Sequence, residues 1–195
     1  MVPSIYGENM FDDFFGNGFF GGHDALFGKH ARNLMKTDIR ETDDAMVVAM
    51  ERVTAEGLKN VFFLDADAAL LPMLFAAGEV DRLYINFCDP WPKSNQKKRR
   101  LTHGNFLKKY RQVLKEGGQI HFKTDNDKLF EWSLEEIPQF GFQLSEVTRD
   151  LHANGPVGVM TDYEAKFYGE GKNINRCVAT MIDWTEPVEE TETAE

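Results

Sequence analysis

The sequence predicts an α/β protein, one sheet with helices packed on it. Three observations predict it. Short apolar runs rich in β-formers, at 61–64, 82–87 and 119–123, alternate with segments of helical period. Each run ends in polar or acidic residues, where an α/β sheet places its ligands. The 195 residues are 42% hydrophobic and 28% charged, which suits one globular core. No apolar run approaches the ~18 residues needed to cross a bilayer. No basic-then-apolar leader opens the chain, so a cytoplasmic protein without a membrane partner is expected.

The elements follow in order. Residues 1–30 interleave Phe11, Phe14, Phe15, Phe19, Phe20 and Phe27 with glycines and show no helical or strand period. Gly16 to Gly21 matches G-x-G-x-x-G only formally, because a buried strand should precede that motif and Asp12-Asp13-Phe14-Phe15 is a poor one. Residues 43–56 predict a helix with Met46, Val47, Met50 and Val53 on one stripe and Gly57 as its stop. A strand at 61–64 and a short helix or turn at 70–75 follow. The second strand, 82–87, ends at Cys88-Asp89-Pro90. Residues 103–115 predict a basic amphipathic helix with Phe106, Leu107, Tyr110, Val113 and Leu114 inward, ended by Gly117-Gly118. A strand at 119–123 leads into a helix at 127–137, stopped by Pro138. Strands at 147–151 and 174–182 flank a helix at 161–168.

The net charge of −10 argues at first against a nucleic-acid partner. Its distribution argues the other way. Residues 183–195 hold six acidic residues and no Lys or Arg, and read as a disordered acidic tail. Between Lys93 and Lys115 there are nine Lys or Arg and no acid. Cys88 and Cys177 fit no metal spacing, so buried free thiols and no metal are expected.

The most informative segment is Asn86-Phe87-Cys88-Asp89-Pro90-Trp91-Pro92-Lys93. It sets a carboxylate and an aromatic ring at a strand end, on a loop stiffened by two prolines. The basic run Lys97-Lys98-Arg99-Arg100 follows directly. A proline-rich turn with a solvated charge run is the plain alternative. Asp125 closes the next strand, so Asp89 and Asp125 could face one ligand; taken alone, Asp125 reads as the N-cap of helix 127–137. Thr161 and Glu164 have the spacing of a capping box. Asp65 and Asp67 follow the strand 61–64 and either meet a ligand or close a turn.

Taken together, Cys88 to Lys93 with Lys98-Arg99-Arg100-Leu101-Thr102, His121 to Asn126, Asp150-Leu151-His152 and Met160 to Phe167 resemble the signature of bacterial tRNA (guanine-N7)-methyltransferases. The resemblance runs from about Met46 to Ile182. It implies a Rossmann-like methyltransferase sheet with helices on both faces, S-adenosylmethionine as cofactor, and methylation of a variable-loop guanosine, at tRNA position 46, on N7. Carried over by position, it implies Asp89 as the catalytic and cofactor-side carboxylate and Asp67 as the residue near the cofactor adenine. Lys93, Asp125, Thr161, Asp162, Tyr163 and Glu164 match substrate-binding positions. Lys97, Lys98, Arg99 and Arg100 are expected to hold tRNA phosphates.

The family's glycine-rich cofactor loop and ribose-binding carboxylate should precede residue 46, and neither is found there. Segments 3–9 and 28–42 instead resemble the start of a bacterial small heat-shock protein. The chain thus reads as an arm over 1–45, an incomplete methyltransferase domain over 46–182 and the acidic tail, with a fusion or assembly junction near 44–48. The expected consequence is a strand 82–87 with one edge unpaired, since residues 36–41 carry four charged side chains and suit a sheet centre poorly. Two other readings stay open: an RNA-binding module without methyl transfer, and a chaperone-like protein led by the Phe/Gly arm.

Overall fold

The computed structural model describes residues 33–37, 50, 53–64, 66–158 and 160–186, with 33–37 and 162 described by backbone alone. Five strands form one mixed sheet in the order β1-β2-β3-β5-β4. They are β1 (Asn33–Thr37), β2 (Val80–Asn86), β3 (Leu114–Thr124), β4 (Phe142–Thr148) and β5 (Asn175–Met181). β1, β2 and β3 run parallel, and β5 is antiparallel to both β3 and β4. The helices are α1 (Leu71–Leu74), α2 (Gly104–Val113), α3 (Asp127–Glu136) and α4 (Asp162–Gly169).

Strand alternation sorts the side chains. Leu83 and Ile85 lie in register with Ile120 and Phe122, and these with Ala179 and Cys177; all six are buried. Leu107, Tyr110 and Val113 of α2 join them in one core with Leu129 and Phe130 of α3. These helix positions recur at three to four residues, as an amphipathic helix requires. Burying each large apolar side chain contributes about 1.5–3 kcal/mol before entropy is set against it. The alternate positions of β2 and β3, Arg82, Tyr84, Gln119, His121 and Lys123, are only partly buried. α4 meets that other face at Lys123, through Glu164.

Several expectations change. The strand 82–87 does not have an unpaired edge: β1 pairs with it over five residues, from Asn33↔Arg82 to Thr37↔Asn86. The pairing uses 33–37, which carries one charge, instead of the more charged 36–41. Residues 61–64 form no strand; Phe62 is 80% exposed. An apolar run cannot pair without a neighbouring edge, and the edge of β2 is taken by β1. Gly117-Gly118 does not separate helix from strand, because β3 starts at Leu114, immediately after α2. Gly117 has φ +69, and a Cβ on Gly118 would sit 2.8 Å from the Lys115 carbonyl oxygen, so glycine accommodates an irregular start to the strand. The strand expected at 147–151 lies earlier, at β4, and Leu151 falls in a turn. Within 43–56, residues 50 and 53–55 are helical, Glu56 lies in a turn, and 43–49 and 51–52 lie outside the described residues. The Phe/Gly arm (except β1), Asp65 and the tail beyond 186 also lie outside them. Cys88 and Cys177 are both buried and neither forms a disulfide. No helix among the described residues is long and apolar enough to cross a membrane.

Candidate active site

β2 and β3 are parallel neighbours, so their C-terminal ends open on the same side of the sheet. The Phe87 N–H extends the ladder by one bond to the Lys123 carbonyl, at 2.9 Å. The chain then turns sharply. Phe87 has φ 51 and Trp91 has φ 41, two non-glycine residues in the left-handed region within five positions. Such residues cost on the order of 1–3 kcal/mol each and persist only where surrounding structure holds them. Asp89 lies between them, half-buried.

The holding group is Arg100. Its Nε donates to the Pro90 carbonyl at 3.0 Å and its Nη2 to the Trp91 carbonyl at 3.1 Å. The guanidinium lies 4.4 Å from the centre of the Trp132 ring on α3, and the residue is only 7% exposed. Burial lowers its pKa from the usual arginine value, with Glu136 opposing. Arg100, set by the sequence among the phosphate contacts, turns two donors inward to the loop carbonyls. Lys93, Lys97, Lys98 and Arg99 are exposed, and Arg99 sits over the Trp91 ring at 4.6 Å.

A second cluster lies at the start of α4. Thr161 caps the helix, accepting from the Glu164 N–H at 3.2 Å, and Glu164 Oε2 accepts from the Thr161 N–H at 3.3 Å, completing the expected capping box. Glu164 is fully buried. Its oxygens accept from Lys123 Nζ at 3.0 and 2.9 Å, and Oε1 lies 2.9 Å from His152 Nε2. His152 Nδ1 accepts from the Val157 N–H at 3.1 Å, which leaves Nε2 as the ring donor toward Glu164. Glu164 thus ties β3, the 150–158 turn and α4 together, where the sequence placed it against substrate. The Tyr163 ring stands 6.3 Å from Phe87 and 6.1 Å from Phe167. The side chain of Asp162 lies outside the description.

Asp125 does not cap α3. Asn126 does, accepting from the Leu129 N–H at 2.9 Å, while Asp125 lies 3.6 Å from Lys172 Nζ. Asp67 is exposed and caps the 3-10 turn Ala68–Leu70, accepting from the Ala69 N–H at 2.7 Å. Asn86, at the end of β2 and 4% exposed, has a side-chain oxygen with no partner among the described groups. His121, half-buried among Arg82, Arg176 and Lys123, is lowered to about 4, by burial first and then by those cations. Sequence reasoning missed the inward roles of Arg100, Lys123 and His152. One signal was available for Lys123: it shares strand parity with Gln119 and His121, so a cation at a strand end had to find a partner.

The fold and site define a class. The pattern of a family described as "Putative methyltransferase" matches residues 36–177, starting inside β1 and crossing the expected junction at 44–48. A tRNA (guanine-N(7)-)-methyltransferase from Streptococcus equi subsp. zooepidemicus is 51% identical over 134 residues, covering 68% of this chain and 64% of the relative. Those of Streptococcus suis and Geobacillus kaustophilus are 47% and 49% identical, covering 75% and 69% of this chain and 69% and 62% of the relatives. The chain belongs to the tRNA (guanine-N7)-methyltransferase family, and it spans about two thirds of the length of these curated relatives.

Proposed function

We propose that the chain transfers a methyl group from S-adenosylmethionine to N7 of a guanosine in the tRNA variable loop. The observation that carries this reading is the Asp89 loop, fixed at the end of β2 and followed by exposed Lys93, Lys97, Lys98 and Arg99. The acidic and amide groups around the end of β2 suit a cationic cofactor: the Asp89 carboxylate, the Asn86 oxygen and, further off in sequence, Asp67. When bound, S-adenosylmethionine supplies an electrophilic methyl group on a sulfonium.

Guanine N7 already carries a lone pair, so no residue has to remove a proton before attack. The work of the chain is positioning. Positive charge develops on the guanine as N7 is alkylated, and a fixed Asp89 carboxylate stabilises it. Tyr163 and Trp91 offer flat surfaces for the base, and the exposed cations hold phosphates with little sequence preference.

The test supplies unmodified tRNA and labelled cofactor at millimolar concentration, then assays digested nucleosides for 7-methylguanosine. Slow formation of that nucleoside is expected. Salt-dependent tRNA binding without it favours the binding-module reading, which rests on the missing glycine-rich loop. Absence of both overturns the proposal.

A further inference from the structure

We infer that Arg100 is a positioning residue for the Asp89 loop and contributes nothing to the phosphate grip. Three observations converge. Two of its five N–H donors go to consecutive carbonyls, Pro90 and Trp91. Its flat face is spent on Trp132 of α3. Its neighbours in sequence, Lys97, Lys98 and Arg99, are exposed, while Arg100 is 7% exposed.

The loop needs such a clamp. Trp91 is held at φ 41 and Phe87 at φ 51, and proline at positions 90 and 92 removes two backbone donors that could otherwise anchor the turn. A planar fork reaching two carbonyls while stacked on an indole is work that arginine does and lysine does not. α3 is itself secured nearby: the Ser133 hydroxyl, next to Trp132, donates to the Leu129 carbonyl and accepts a 2.7 Å bond from the hydroxyl of Thr102, two residues beyond Arg100. The chain therefore runs from α3 through Trp132 and Arg100 to the carbonyls that flank Trp91, and so to Asp89. A run of four cations in sequence divides into three that face outward and one that shapes the site.

The inference rests on the tRNA reading only for its affinity readout. The experiment compares Arg100→Gln, Arg100→Lys and Lys98→Gln by the salt dependence of tRNA affinity and by amide exchange at Asp89, Trp91 and Lys93. The parent salt slope is expected to persist in both Arg100 variants, and to fall by about 0.7–0.9 in Lys98→Gln. Amide exchange at Asp89 and Trp91 is expected to rise about tenfold or more in both Arg100 variants, with α2 amides unchanged. An Arg100→Gln slope that falls as far as that of Lys98→Gln overturns the inference, as does parent-like exchange in the loop. If Arg100→Gln does not fold, Arg100→Lys decides: local loosening at parent slope supports the clamp, and unchanged exchange sinks it. If Lys98→Gln leaves the slope untouched, the tRNA reading fails, and loop exchange still judges the clamp.

Discussion

Removing the Glu164 carboxylate should be among the most destabilising single changes in this chain. The side chain is fully buried and serves Lys123 Nζ through both oxygens, His152 Nε2 through one and the Thr161 N–H through the other. Glu164→Ala leaves the Lys123 ammonium, whose side chain is only 16% exposed, without its counter-charge. It also strands the His152 donor. Breaking a buried pair from one side costs about 3–5 kcal/mol, a large share of the roughly 5–15 kcal/mol that holds a domain together. At about 2–4 °C per kcal/mol for a chain of this size, Tm should fall by about 6–20 °C.

Glu164→Gln keeps the volume and should cost less, about 1.5–3 kcal/mol, because a charge-assisted bond is lost but the shape is retained. The assay is urea unfolding of a double-mutant cycle with Lys123→Met. The double variant should be more stable than the two single losses predict, by about 0.5–3 kcal/mol, since no unpaired ammonium remains. A Glu164→Ala protein melting within about 2 °C of the parent, or a cycle with no coupling, would refute the reasoning.

Three further outcomes are expected. Asp89→Ala should abolish 7-methylguanosine formation while tRNA affinity stays within about twofold, because Asp89 stands at a strand end and, as a carboxylate, holds no phosphate; a parent rate in the variant sinks that role. His121 has a folded-state pKa of about 4, below its ordinary value near 6.5, so the unfolded state binds more protons in between. Stability should be complete above about pH 6.5 and decline as pH falls toward 4. His121→Gln should show a shallower decline in urea midpoints between pH 7 and 4.5, and an identical decline removes the histidine from the account. S-adenosylmethionine should bind weakly: losing three or four hydrogen bonds of a glycine-rich loop and a ribose carboxylate forfeits roughly 2–4 kcal/mol, or on the order of 30- to 1,000-fold in affinity. Micromolar binding by calorimetry would show that the chain supplies those contacts by residues not recognised from sequence.

The parallel core of the sheet was legible because β2 and β3 carry apolar residues on alternate positions and end in polar ones. The helices α2, α3 and α4 were legible within a few residues for the same reason, helped by the Thr161–Glu164 capping box. β1 was not. Its Asn33-Leu34-Met35-Lys36-Thr37 has little apolar content, and its place depends on register with β2, a tertiary fact. The run 61–64 misled in the opposite direction, since apolar character predicts burial only where a partner edge is free. Sequence placed Asp89 and its loop after a strand end, where β2 does end, but read the charges of 97–100 as outward-facing by default. Arg100 and Glu164 are both turned inward; the spacing gives Glu164 its contact with Thr161 but not those with Lys123 and His152, and gives nothing of the direction of Arg100.

The partners of these cations set how many are left for the proposed tRNA contact. Of the nine between Lys93 and Lys115, Arg100 is buried in the loop clamp, and Lys109 donates to the Ala69 carbonyl. Arg111 donates to the carbonyls of Gly141 and Ile182, and Lys108 and Lys115 pair with Glu186 and Asp81. Lys93, Lys97, Lys98 and Arg99 remain, all exposed, on the 3-10 helix Ser94–Arg99 and its N-cap. At about 0.7–0.9 per phosphate contact, four cations give a log–log salt slope of magnitude about 3, where nine would give about 6–8. The difference is large enough to decide by filter binding between about 50 and 200 mM salt. A slope near 3 that falls by about one with Lys97→Gln and again with Lys98→Gln fits a single cationic segment. A slope steeper than about 5 would show that tRNA also recruits the cations of α2, and that their carbonyl and carboxylate partners release them on binding.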